Sequence, residues 1–223
     1  MNILMILTSC AQIPGADRKT GTWFEELTAP YYAFRAAGAH VTLASPDGGP
    51  APIDPASLDD GIEAIRRFSS DAEAQAALAD TLALPTVRAE AYDAIFYCGG
   101  LGPLFDLARD PTSIALVETF HRAGKPVAAV CHGVAALRQA RTADGRPLVQ
   151  DRAVTGFSNS EEQAAHGTGL VPFLLEDELK RLGGLYSSAP DWTSHVVADG
   201  GLITGQNPAS SEAAAQKLLA AIR

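Results

Sequence analysis

The chain has 223 residues, 47% of them hydrophobic and 19% charged, which is enough apolar material for one large core and too little charge for a disordered chain. Its net charge of -9, with no Lys/Arg cluster, argues against a nucleic-acid surface. Three cysteines, Cys10, Cys98 and Cys131, form no disulfide framework or zinc pattern, so reduced thiols and a cytoplasmic setting are expected.

At the N-terminus, "LTSC" (7–10) imitates a lipoprotein processing box, but no basic residue precedes it and the apolar run is short. "NILMILTS" (2–9) instead reads as a buried strand, and no stretch is long enough to span a membrane. A helix follows over 22–38, ending at Gly38, then a strand over 40–45 and a Pro/Asp-rich loop over 46–60. An Ala-rich helix is predicted over 71–84 and a strand over 92–100 that runs into glycines. The next helix spans 110–124, capped by Asp110 or Thr112 and stopped at Gly124, before a strand at 125–130. Two short strands are expected within 146–157, an amphipathic helix over 171–184, a strand pair over 195–205 around Asp199-Gly200-Gly201, and a closing helix over 210–222. Strands that are continuously apolar and alternate with helices predict a doubly wound α/β fold, a mostly parallel sheet sandwiched by helices, in one domain over 1–223.

Sites in such folds form where strands end and helices begin. Cys131 stands at such a point in "AAVCHGVAAL" (128–137), with His132 beside it and Gly133 keeping the turn uncluttered, as in a nucleophile elbow. A helix N-terminus there would favour thiolate over thiol. The alternative is a cysteine packed as a small apolar residue. A second strand end, "CGGLGPLFDL" (98–107), places Gly99 and Gly100 where backbone N–H groups can approach a substrate oxygen, or where the chain merely turns. It is not a GxGxxG fingerprint, so a dinucleotide is not expected. Candidate carboxylates are Glu25 and Glu26 on the first helix, between which periodicity does not choose. Glu161 and Glu162 in "SNSEEQ" are further candidates, as histidine partners or as helix-capping residues.

With these residues, the chain resembles the ThiJ/PfpI superfamily of the flavodoxin-like, class I glutamine amidotransferase-like fold. More narrowly, it resembles the heat-shock-protein-31 type, glutathione-independent glyoxalases (the glyoxalase III branch). The segments that carry this run almost end to end: "KTGTWFEELTAPY" (19–31), "CGGLGPLFDL", "AAVCHGVAAL", "GRPLVQDRAVTGFSNSEE" (145–162) and "DGGLITGQNPASS" (199–211). The resemblance implies Cys131 as nucleophile, His132 as its partner and Glu26 as the family's glutamate. It also implies Gly99 and Gly100, with the His132 N–H, as the oxyanion site, and Glu162 as the acid orienting the histidine. It implies conversion of methylglyoxal, or another small 2-oxoaldehyde, and water to lactate without metal or organic cofactor, in a stress-responsive homodimer. Relatives described as deglycases, chaperones or peptidases leave alternatives open. A glutamine amidotransferase would need a late His-x-Glu pair, whereas His195 is followed by Val196 and Val197. A redox sensor would need only an exposed cysteine of low pKa, and hydration of a small electrophile such as an isonitrile would use a similar pocket.

Overall fold

A computed structural model describes residues 1–222, so the expected domain end at Arg223 lies outside the described residues. The strands are β1 (Asn2–Ile6), β2 (His40–Ser45), β3 (Leu82–Ala83), β4 (Ala94–Tyr97), β5 (Val127–Val130), β6 (Ala153–Val154), β7 (Leu185–Tyr186), β8 (Val196–Asp199) and β9 (Leu202–Gly205). The helices are α1 (Phe24–Ala36), α2 (Glu63–Ser70), α3 (Ala72–Ala79), α4 (Pro111–Arg122), α5 (Asn159–Ala164), α6 (Leu175–Arg181) and α7 (Ser211–Ala221). Seven strands form one sheet in the order β3-β2-β1-β4-β5-β9-β8, parallel except for the edge strand β8. The chain builds outward from β1 to one side and then from β4 to the other, so the order reverses between β1 and β4.

Alternation along the buried strands divides the core into two. Leu4, Ile6, Ile95, Tyr97, Val127 and Ala129 face one side, packed with Val117 and Phe120 of α4 and Leu175 and Leu179 of α6. Ile3, Met5, Ala94, Phe96, Ala128 and Val130 face the other, against Leu27 and Phe34 of α1, Phe68 of α2 and Leu218 of α7. Both faces are covered, which is why these strands read as unbroken apolar runs.

Several boundaries differ from the sequence expectations. The helix expected over 71–84 stops at Ala79, and Leu82–Ala83 pairs with β2, because sheet pairing outweighs a weak helical preference in its last residues. Helix α2 lies in a stretch for which the sequence predicts no element. Only one strand, β6, forms within 146–157, and it pairs with β7 in a separate two-stranded sheet. The helix expected from 171 begins at Leu175. The turn after β5 is a seven-residue 3-10 run, Cys131–Leu137, instead of an α-helix. The 46–60 loop is anchored by backbone bonds between Thr22 and the Pro52–Asp54 segment, and its Ser57 hydroxyl accepts from the Phe24 N–H (2.9 Å), capping α1.

Candidate active site

The site lies at the carboxyl ends of β4 and β5, beside the reversal of strand order, where a doubly wound sheet leaves a crevice. Cys131 has φ 53°, a left-handed conformation that side chains other than glycine rarely adopt. The neighbouring turn explains how this is held. A Cβ at Gly133 would lie 2.6 Å from the Cys98 carbonyl oxygen, so glycine lets the 3-10 run pack directly on the end of β4.

The end of β4 and the start of α1 clamp each other. The Trp23 N–H donates to the Gly99 carbonyl (3.0 Å), while the Gly99 N–H donates to Glu26 Oε2 (2.8 Å). Glu26 is thereby carried to Cys131 from 105 positions earlier in the chain. A side chain at Gly99 would collide with Glu26 Oε2 and would come within 2.9 Å of Cys131 Cβ, so the glycine is the gap through which acid and thiol meet.

Glu26 is fully buried, and burial pushes its carboxyl up to about 8, only partly offset by hydrogen bonding from the Cys131 thiol and the Gly99 N–H. Glu26 Oε1 has no hydrogen-bond partner by distance and angle among the described residues. At neutral pH the acid is therefore mostly protonated, and Oε1, the oxygen not engaged by Gly99, is the one free to carry the proton.

Cys131 is only 4% exposed, and its thiol is pushed well above its ordinary range, first by burial and then by the neighbouring Glu26. The backbone N–H groups of His132 and Gly100 face the sulfur and offset this in part. The expected stabilisation of a resting thiolate is thus overturned. Desolvation and an adjacent acid outweigh the end of a short 3-10 run, whose dipole is small.

The two glycines also part company. The Gly99 N–H is taken by Glu26, so it is not free to hold an oxyanion, contrary to the paired assignment from sequence. Gly100, at φ 98°, turns its N–H towards the sulfur together with that of His132.

His132 is buried, with Nδ1 3.5 Å from Cys131 Sγ and Nε2 2.6 Å from Glu162 Oε2. A hydrogen bond from Nε2–H to Glu162 leaves Nδ1 as the ring nitrogen that faces the thiol. The ring also lies 4.4 Å, centroid to centroid, from Phe157. Glu162 sits in the first turn of α5, where Ser158 and Glu161 form a capping box.

The adjacent acids have different surroundings. Glu161 accepts from the Ser158 N–H and hydroxyl, Gln206 Nε2, Asn207 Nδ2 and the Trp192 N–H, and makes no contact with His132. It ties together the "SNSEE" and "GQNPAS" segments. Glu25 stays half-buried on the neighbouring face of α1, its carboxyl raised by partial burial and then by Asp59.

A cavity of about 70 Å³ adjoins the cysteine, with walls from Trp23, Leu101, Phe157 and Trp192. It admits a ligand of a few heavy atoms. Local pattern does not mark these walls, but Trp23 and Trp192 are the chain's two tryptophans, a rarity that is the sequence's signal for them. His195 hydrogen-bonds Ser187 Oγ (2.9 Å) and does not line this cavity. Among the described residues, no group of three His, Cys, Asp or Glu side chains is arranged to hold a metal ion.

A buried cysteine on a strained turn at the switch point of a doubly wound sheet, beside an acid from the first helix, defines a class of α/β proteins with a cysteine at a strand-end elbow. Residues 21–221 match the DJ-1/PfpI family, and the chain belongs to it. It is 29% identical to the glutathione-independent glyoxalase HSP31 of Saccharomyces cerevisiae, over 99% of this chain and 98% of that one. It is 36% identical over 143 residues to the bovine (Bos taurus) glutamine amidotransferase-like class 1 domain-containing protein 1, a match that spans 64% of this chain and 65% of the relative. Among solved structures, the Rapid Encystment Protein 24 kDa of Francisella tularensis superposes with a TM-score of 0.96 at 35% identity, covering 100% of this chain and 99% of that one. Glyoxalase III from Candida albicans superposes with a TM-score of 0.91 at 26% identity, covering 100% and 98%.

Proposed function

We propose that the protein is a glutathione-independent glyoxalase that converts methylglyoxal and water to lactate on Cys131. The observation that carries this reading is a neutral, buried Glu26 held against the thiol, because an internal redox exchange between adjacent carbons needs a group that can give a proton and then take one. The names of the yeast and Candida relatives point the same way.

Sγ forms a bond to the aldehyde carbon C1, its proton passing to His132 Nδ1, while Glu26 Oε1–H protonates the aldehyde oxygen. The N–H groups of Gly100 and His132 stabilise the charge developing on that oxygen. Glu26, now a carboxylate, removes the proton from C1, and the freed electron pair forms C1=C2 as the C2 oxygen takes the proton on His132. The enediol collapses when Glu26 returns its proton to C2 and the C1 hydroxyl proton moves to His132, leaving a thioester. Water attacks the thioester as Glu26 takes one of its protons, the C1–S bond breaks while His132 returns its proton to the sulfur, and the lactic acid released ionises to lactate in solution. C1 is oxidised and C2 reduced within one molecule, so the electrons balance without an external oxidant.

The redox-sensor alternative loses support, since Cys131 is buried and its thiol raised, the reverse of an easily oxidised exposed thiolate. An amidotransferase-like mechanism would draw its histidine from His195, which is engaged elsewhere.

The test is lactate formation from methylglyoxal without glutathione. Wild type should form it, and Cys131→Ser should lose activity by on the order of a thousandfold. Equal turnover by the two proteins would refute the assignment.

A further inference from the structure

Two buried side-chain oxygens of this site have no hydrogen-bond partner among the described residues, Glu26 Oε1 and Glu162 Oε1, and the proposed chemistry uses only the first. Glu162 lines the cavity beside Cys131 and is 2% exposed. Its Oε2 is taken by His132 Nε2 (2.6 Å), which leaves the lone pairs of Oε1 unused. The backbone around it makes room for that oxygen. His166 turns left-handed (φ 55°) after α5, and the Gly167 N–H donates to the Glu162 carbonyl (2.9 Å). A Cβ at Gly167 would overlap Oε1. Gly167 and Ala165 are themselves wall residues, so the oxygen stands at a stretch of wall without bulky side chains.

A buried acceptor without a partner carries a desolvation cost that a donor entering the cavity would relieve. The facing walls, Trp23, Leu101, Phe157 and Trp192, leave it unpaired. Asp54, the other acid at the cavity, differs, because its Oδ2 accepts from Thr20 Oγ1 (3.2 Å) and its Oδ1 from the Ala56 N–H (2.9 Å). One imidazole, with contacts of 3.5 Å and 2.6 Å at its two nitrogens, separates Cys131 Sγ from the Glu162 carboxyl. A three-carbon chain bonded to Sγ carries an oxygen on its third carbon roughly 5 Å from the sulfur. A hydrogen bond reaches ~2.7 Å further, which is the reach needed to pass one ring.

We propose that Glu162 Oε1 accepts a hydrogen bond from a hydroxyl group of the substrate, so that the cavity selects 2-oxoaldehydes hydroxylated at C3 over their alkyl counterparts. The aldehyde end of this proposal rests on the glyoxalase reading, and the hydroxyl end on Glu162. The hydroxyl is a spectator. The bond changes remain those given above, and the product of the three-carbon substrate is glycerate. An alkyl group in the same place fills the cavity equally well but leaves Oε1 unpaired, and that difference is the source of the selection.

The hydroxyl end can be tested without turnover, using ligands that lack the aldehyde. Hydroxyacetone and butanone share one shape and differ by a hydroxyl in place of a methyl group. Each should protect Cys131 from iodoacetamide as it fills the cavity, and protection is read from the Cys131 peptide by mass spectrometry. In wild type, the half-protecting concentration should be about tenfold lower for hydroxyacetone. In Glu162→Leu, with circular dichroism to confirm folding, the order should reverse, because an apolar wall favours the methyl group. Protection by butanone that equals or exceeds that by hydroxyacetone in wild type overturns the proposal, as does an order that Glu162→Leu leaves unchanged. Should Glu162→Leu fail to fold, the wild-type comparison decides alone.

Turnover then separates the two readings. In wild type, kcat/KM for 3-hydroxy-2-oxopropanal should exceed that for the isosteric 2-oxobutanal about tenfold. A ratio of one or less overturns the selectivity. If hydroxyacetone protects as predicted but neither aldehyde is consumed, the hydroxyl site stands and the glyoxalase reading fails. If both aldehydes are consumed at equal kcat/KM and the two ketones protect equally, the glyoxalase reading stands and the hydroxyl site fails, with water as the partner of Oε1.

Discussion

At the scale of single residues, the site depends on which of two neighbouring glutamates faces inward. Glu26 is buried against Cys131 with its carboxyl raised to about 8, whereas Glu25 is half-buried outside the thiol's surroundings. Glu26→Gln keeps the shape and an acceptor for the Gly99 N–H but cannot exchange a proton. Its methylglyoxal turnover should fall on the order of 100-fold or more. Glu25→Gln should stay near wild type. Rates of both variants across several pH values, with circular dichroism to confirm folding, make the comparison. Wild-type activity should decline as pH rises through about 8, where Glu26 loses the proton that the proposed first step uses. Full activity in Glu26→Gln would remove the acid from the mechanism.

At the scale of elements, helices and turns here hold strand ends in place as well as burying apolar faces. Helix α4 packs Val117 and Phe120 on the sheet between β4 and β5, the two strands whose ends make the site. Its start is set by Asp110, whose Oδ1 accepts from the Ser113 N–H at 2.7 Å, with Pro111 in the first helical position. Asp110→Ala should lower the unfolding free energy by about 1 kcal/mol, measured by urea denaturation. Turnover per folded molecule should hold, because α4 lines no part of the cavity beside Cys131. A loss of turnover at unchanged stability would show that α4 positions the elbow as well as supporting it.

At the scale of the whole molecule, a buried acid with a raised pKa links the site to global stability. Glu26 titrates near 4.5 when unfolded and about 8 when folded, so between those values the native state holds the extra proton. The contribution is fully present below pH 4.5 and is lost as pH rises through about 8, amounting to on the order of a few kcal/mol. Wild type should therefore lose stability from this group between pH 5 and pH 9, and Glu26→Gln should show a flatter profile across that interval. Denaturation midpoints of both proteins at several pH values decide it. Parallel profiles would mean that Glu26 is ionised in the native state throughout.

The order of strands and helices was open to reading because it rests on local patterns. Runs such as "AIFY" and "VAAV" are wholly apolar since both faces of the sheet are covered, and Gly38 and Gly124 stop helices by taking left-handed turns. Cys131 and His132 stood out because the elbow is built from adjacent residues. Everything that required distant segments to meet was beyond local pattern. Periodicity did not separate Glu26 from Glu25; that depends on Trp23 and Gly99 clamping α1 to β4. Nor did it separate Glu162 from Glu161, which is distinguished by bonds to Gln206 and Asn207, more than forty positions away. The protonation state of the site belongs to the same level. A cysteine at a turn looks poised to ionise in a one-dimensional reading, but desolvation is a property of the surrounding volume. In this protein that volume closes over thiol and acid together and keeps both protons on.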